Sequence, residues 1–286
     1  MAVGTTRAKR KLGRHVRPIL ERTGLKTTEV AKLVKTSRDT VDRLVSGAHL
    51  PRYPTFLAIM MIIKATPEEF AEGIALWERA DKDAVVIEHA ATLPPNYLRF
   101  RMDEGEAAGE RTLDQQLIPG LLQLGGYAEA LCHRAQAMTF GTGWTEKAAN
   151  ERLSRQELLS RESEPLQLHA LIDEAALHRA VGGRDLMAEQ LTHLLCVGEQ
   201  NNVTLRVLPF GAGAYGAHFG ALTLLDYPEP DEPLSVYIEG HDGVRAVEDE
   251  RAVGVLTAAW DDAAQLALSP ERTAKLIREV RDTRYA

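Results

Sequence analysis

The sequence predicts a mixed architecture: an all-α, five-helix N-terminal domain followed by a larger α+β domain with a small, mostly antiparallel sheet. Three observations lead there. Residues 1–53 carry thirteen Lys and Arg against four Asp and Glu, a balance of +9, while residues 54–286 carry 21 against 37, a balance of −16. Helical spacing of apolar residues runs through the first 81 positions. Further along, short runs rich in Val, Leu, Ile and Tyr, bounded by Gly, Pro, Asn and Asp, alternate with helical stretches. A chain of 286 residues has room for two cores. The expected division is 1–81, a connector over 82–113, and 114–286.

Composition narrows the class. With 44% hydrophobic and 26% charged residues the chain is globular rather than disordered. Its longest apolar run, Phe56 to Ile63, is far short of a membrane span, and no apolar segment follows the cationic start, so a cytoplasmic protein without a secretory signal is expected. Cys132 and Cys196 lie far apart with no C-x-x-C spacing, which predicts reduced, buried thiols.

In the basic segment, Leu12, Val16, Ile19 and Leu20 mark a first helix from Lys11, closed by Gly24. A second helix fits Thr28 to Val34, with Thr27 as its cap. Lys35, Thr36 and Ser37 form a turn, Ser37 caps a third helix from Arg38 to Val45, and Gly47 closes it. Two helices joined by a three-residue turn make a helix-turn-helix. Phe56 to Ile63 and Phe70 to Trp77, the latter opened by Pro67 and Glu68, complete a five-helix, lambda-repressor-like domain.

Val41 and Leu44 face the core of that domain, while Arg38, Asp39, Asp42 and Arg43 face outward. The second helix of such a pair lies in the major groove with its N-terminal residues on base edges. Arg38 and Arg43 can each read guanine O6 and N7, and Asp39 can accept from cytosine N4. Ser37, Thr40, Lys26, Thr27, Thr28 and Lys35 are placed for phosphates, which fix register without reading sequence. Lys35 falls where such turns usually carry a glycine, because the chain there goes left-handed. Arg7, Lys9, Arg10 and Lys11 form either a DNA-contacting arm or a solvated charge run.

The larger segment predicts an exposed charged helix around Asp103 to Arg111. Further helices are expected over Tyr127–Met138, Glu146–Arg161, Glu174–Val181, Asp185–Glu199, Glu250–Leu268 and Pro270–Arg281, the last capped by Ser269. Gly182 and Gly183 break the third from the fourth. Strands are expected over Leu166–Ile172, Val203–Leu208, Gly220–Tyr227, Leu234–Glu239 and His241–Val247.

Chemistry is sparse. Gly211, Gly213, Gly216 and Gly220 lack the Lys-Ser/Thr of a P-loop and read as a hairpin loop, with His218 a loop residue. Glu174 and His178 share a helix face, but no third ligand stands near, so neither a metal nor a cofactor is expected. No nucleophile and base constellation appears, so the chain is not expected to be an enzyme.

The helix-turn-helix is accompanied by the string IPGLLQ at Ile118–Gln123, DEAALHRAVGG at Asp173–Gly183 and M-x-x-Q-L at Met187–Leu191. VTLRVLPFGAG, the F-G-x-L-T-L-L-D run from Phe219, and ALSPERTAKLI ending at Ile277 follow. With these the chain resembles the Xre-type helix-turn-helix regulators of actinobacteria that carry a WhiJ-type C-terminal domain. The resemblance implies an antitoxin-like transcriptional regulator paired with a small BldB-like partner protein, with its recognition positions on Arg38, Asp39, Asp42 and Arg43. The chain departs from the family at Thr27, commonly Gln, at Lys35, commonly Gly, and at Leu124, usually Thr. The expected partners are double-stranded DNA, a second copy in a homodimer and the small protein, with no membrane. The rival expectation is a one-component repressor with a small-molecule pocket in the C-terminal domain, lidded by the glycine loop beside Tyr215 and His218.

Overall fold

The computed structural model describes residues 7–82, 93–135, 145–162, 164–217, 220–228, 232–240 and 243–285. They form two compact units, residues 1–106 and 107–286. The boundary therefore falls inside the segment expected to be a connector. Residues 95–106 belong to the first unit, and the sheet of the second begins before residue 114.

The first unit holds helices α1 (Arg7–Thr23), α2 (Thr27–Val34), α3 (Arg38–Val45), α4 (Tyr53–Ile62), α5 (Pro67–Lys82) and α6 (Pro95–Glu106). Leu12, Val16, Ile19, Val30, Ala31, Val41, Leu44, Phe56, Ile59, Met60 and Ile63 bury a single core, and those of the first three helices fall where helical spacing predicts. One reciprocal cap and one single-sided cap set helix starts. Thr66 accepts from Glu69 N–H while the Glu69 carboxylate accepts from Thr66 N–H, and Glu29 accepts from Lys26 N–H at 2.8 Å. Lys26, not Thr27, is thus the N-cap of α2. The expected cap misses because Thr27 already has helical geometry in the first turn.

Two other expectations fail here. Arg7, Lys9, Arg10 and Lys11 are not an arm but the first turns of α1, where Arg7 is buried and pairs with Glu106 at 2.8 Å and Arg10 pairs with Asp103. The charged stretch after Asp103 is not an exposed helix either. Asp103 and Glu104 are fully buried at the end of α6, where guanidinium partners offset the cost of removing carboxylates from water.

The second unit is a six-stranded mixed sheet flanked by helices. Its strands are β1 (Gly109–Asp114), β2 (Gln167–Asp173), β3 (Val203–Leu208), β4 (Leu222–Asp226), β5 (Ser235–Gly240) and β6 (Gly243–Val247), in the order β3-β2-β1-β4-β5-β6. β1 and β2, and β2 and β3, run parallel, whereas the three other pairs are antiparallel. Parallel neighbours need crossovers: α7 (Gly125–Ala135) and α8 (Thr145–Ser160) join β1 to β2, and α9 (Glu174–His178) and α10 (Arg184–Val197) join β2 to β3. On one face Leu113, Leu171, Leu222, Leu224 and Val236 pack against Trp260 and Ala263 of α11 (Glu250–Leu266). Trp260 Nε1 also donates to the Thr112 carbonyl at 3.2 Å.

Because β3 and β4 are separated by β2 and β1, the glycine-containing segment between them is a crossover and not the expected hairpin loop. The free side of β3 is covered near its C-terminal end. Val207 N–H donates to Thr273 Oγ1 of α12 (Pro270–Val280), and the Val207 carbonyl accepts from Leu268 N–H at 2.8 Å. Cys196 is exposed and Cys132 half-buried, so the expectation of two buried thiols fails as well. The last residues of the helix expected to reach Met138, together with His218 and His241, lie outside the described residues.

Candidate nucleic-acid interface

Helix α3 is fixed at both ends by its own sequence. Ser37 has extended backbone and its Oγ accepts from Thr40 N–H at 3.1 Å, while the Thr40 hydroxyl lies 2.8 Å from Ser37 Oγ. At the other end Gly47, at φ +71, turns the chain away as its N–H donates to the Leu44 carbonyl.

The turn between α2 and α3 is closed without glycine. Lys35 occupies the left-handed region at φ 59 and ψ 44. Its N–H donates to the Lys32 carbonyl, and Thr36 N–H reaches back to the Ala31 carbonyl at 2.9 Å, the bond that ends a helix in a left-handed turn. These bonds hold a lysine where its Cβ is unfavourable, at a cost of about 1–2 kcal/mol, and leave its ammonium exposed beside Ser37.

Val41 and Leu44 are buried, whereas Ser37, Arg38, Asp39 and Arg43 are exposed and Thr40 and Asp42 half-buried. The expected face is therefore presented as one surface. It is internally paired: Arg38 Nε donates to Asp42 Oδ2 at 2.9 Å and Arg43 Nη1 stands 3.6 Å from Asp39 Oδ2, both one helical turn apart. Two arginines and two aspartates make the outer face of α3 neutral. Lys26 and Lys35 flank it exposed, and Thr27 and Thr28 are half-buried in the first turn of α2.

Residues 11–73, which span this whole arrangement, match a helix-turn-helix domain family. Residues 97–279, well over half of the chain, match a family described as a domain of unknown function, DUF5753. The chain belongs to the DUF5753 family. The helix-turn-helix match supports a DNA-binding regulator. No curated protein and no solved structure matches the chain.

Inside the DUF5753 domain, the strings singled out in the sequence hold one another in place. IPGLLQ forms a short 3-10 turn, Gly120–Leu122, with Leu121 and Leu122 buried. Gln190, the glutamine of M-x-x-Q-L, is fully buried. Its Nε2 donates to the Leu122 carbonyl and its Oε1 accepts from Leu124 N–H, both at 2.7 Å. Gln123 Nε2 donates to the Ile118 carbonyl at 2.7 Å, and Gln123 Oε1 accepts from Arg152 Nε at 3.0 Å. A Cβ on Gly120 would lie 2.2 Å from Arg155 Nη1, so a side chain there would displace the guanidinium. Asp173, the first residue of DEAALHRAVGG, caps α9 by accepting from Ala175 N–H and also accepts from the Tyr215 hydroxyl, each at 2.9 Å.

That last bond bears on the expected lid. Tyr215 is buried against the sheet core, and burial together with the Asp173 carboxylate raises its phenol pKa well above the ordinary value. Glu174 Oε2 accepts from Phe210 N–H at 2.8 Å, and its other oxygen lies 3.4 Å from His178 Nε2, whose ring stacks on Phe210. Glu174 thereby ties α9 to the loop after β3. Among the described residues no group of three or more His, Cys, Asp or Glu is placed to hold a metal ion, and no helix is long and apolar enough to cross a membrane.

Sequence reasoning missed the exposed Arg14 and Arg17 on α1, beside the end of α3. Arg17 Nη2 donates to the Val45 carbonyl at 3.4 Å. Their spacing with Arg7 and Arg10, at intervals of three and four, was the available signal.

Proposed function

We propose that the chain is a sequence-specific transcriptional regulator of the Xre type, antitoxin-like, that inserts α3 into the major groove of operator DNA. The capped, outward-facing α3 next to the tight α2–α3 turn carries this reading. Arg38 and Arg43 contact guanine and Asp39 contacts cytosine, with Asp42 on the same base-facing surface. Ser37, Thr40, Lys26, Thr27, Thr28 and Lys35 hold phosphates. A homodimer presents two such helices to half-sites about 34 Å apart. The DUF5753 domain recognises a small partner protein, and the protein works in the cytoplasm without enzymatic activity of its own.

The test is selection of bound duplexes from a random-sequence library with the full chain, followed by titration of the preferred duplex. Arg38→Ala and Arg43→Ala should each cost about 1–3 kcal/mol on that duplex and much less on unrelated DNA. Equal affinity of wild type and both variants for the preferred duplex would show that α3 is not the reader.

A further inference from the structure

Arg7, Arg10, Arg14 and Arg17 form a charged row along α1. The row is built onto the candidate recognition helix. A Cβ on Gly13 would lie 2.8 Å from the Val45 carbonyl oxygen and from Gly47 N, and one on Gly47 would lie 2.5 Å from Arg10 Cα. Only glycine lets α1 pass so close to the end of α3. The two halves of the row differ. Arg14 and Arg17 are exposed, whereas Arg7 and Arg10 are covered by α6, through Glu106 and Asp103 respectively. Partners three apart on α1 meet partners three apart on α6 in reversed order, so the helices run antiparallel along this clasp.

A guanidinium binds carboxylate and phosphate through the same donor fork. Net stabilisation from a buried ion pair is small, because desolvation offsets most of the attraction. Exchange of one oxyanion for another at Arg7 and Arg10 therefore costs little in the ion pairs themselves, provided that the incoming phosphate replaces the carboxylate. The covered half continues a row whose other half is exposed to solvent.

We propose that α6 is a built-in competitor for DNA phosphate. Asp103 and Glu106 occupy one half of a phosphate-binding row on α1, so docking of α6 weakens DNA binding and bound DNA displaces α6. This regulation rests on the DNA-reading function proposed above.

The experiment uses the full chain and a fluorescein-labelled, mixed-sequence duplex, titrated between about 50 and 200 mM salt. Asp103→Asn with Glu106→Gln should raise affinity at the lower salt roughly tenfold. The slope of log K against log salt should match that of the wild type, because bound DNA takes the same two contacts once α6 is displaced. Adding Arg7→Gln and Arg10→Gln to the clasp variant should cancel the gain in affinity and flatten the slope by about 1.8. If wild type binds and the clasp variant binds with the same affinity, the competition does not exist and the clasp is structural. If neither binds any duplex, the DNA-binding reading itself falls and takes this one with it. Amide hydrogen exchange over residues 95–106 of the wild type needs no variant to fold. Saturating duplex should speed exchange there, and unchanged or slower exchange overturns the proposal.

Discussion

Arg38 and Asp42 are joined across one turn of α3 by a 2.9 Å bond from Nε to Oδ2. The bond uses Nε alone, so the carboxylate orients the guanidinium while its Nη donors remain able to fork onto guanine. The pair is exposed and one turn apart, so it is worth about 0.3–0.5 kcal/mol to the helix. Asp42→Asn should therefore barely move thermal unfolding of the full chain. By anisotropy with labelled duplexes, it should raise affinity for mixed-sequence DNA more than for a selected site, because a negative charge leaves the interface while a base-facing group changes. A loss of affinity for both would place Asp42 away from the DNA.

Lys35 gives a prediction of opposite kind. It sits at φ 59 with no glycine to relieve it, and Lys35→Gly removes the clash between Cβ and backbone. The gain is about 1 kcal/mol after the extra entropy that glycine gives the unfolded chain. In a domain of this size that is roughly 4–8 °C in melting temperature. The same change deletes an exposed ammonium beside Ser37. If Lys35 holds a phosphate, the salt slope of DNA binding should fall by about 0.9. A more stable variant with an unchanged slope would remove Lys35 from the interface.

The helix-turn-helix was legible because its signals are local. Ser37, Gly24, Gly47 and the apolar spacing of Val41 and Leu44 each act within one turn, and each fell where the spacing put it. β1 was not legible. Its sequence, GERTLD, contains three charged residues, and it becomes a strand because β2 and β4 supply ladders on both sides, burying Glu110 and Thr112. The same limit hid the ion pairs of Asp103 and Glu106, whose partners lie 93 and 99 residues away in sequence. It also hid the roles of Tyr215 and Gln190. Tyr215 meets Asp173 across 42 residues, and Gln190 meets Leu122 and Leu124 across 68 and 66.

Gln190, buried and bonded to two backbone groups, is a point where the DUF5753 domain is open to damage. Gln190→Leu keeps roughly the volume but removes both partners of the Leu122 carbonyl and Leu124 N–H. Unmet backbone groups in such a setting cost about 1–3 kcal/mol each. Urea unfolding of the full chain should show the transition of the C-terminal unit shifted by about 3 kcal/mol and that of the N-terminal unit unmoved. A shift under 1 kcal/mol would mean that water or a rearranged turn replaces the glutamine.

Asp114, half-buried at the end of β1, ties the stability of the same unit to pH. Desolvation pushes its carboxyl pKa from the ordinary 3.8 up to about 7; Glu239 adds to the rise, while the Thr112 hydroxyl and Arg155 work against it. The folded state thus holds a proton that the unfolded chain has released. Stability from this group is complete below pH 3.8 and is lost as pH rises to about 7, at up to about 1.4 kcal/mol per pH unit, with little further change above. Asp114→Asn imitates the protonated form at every pH. Relative to wild type it should be neutral near pH 4, stabilising near pH 8, and should flatten the decline between. Urea titrations of both proteins at those two pH values decide the matter: an equal difference at both would show that folding does not raise the Asp114 pKa.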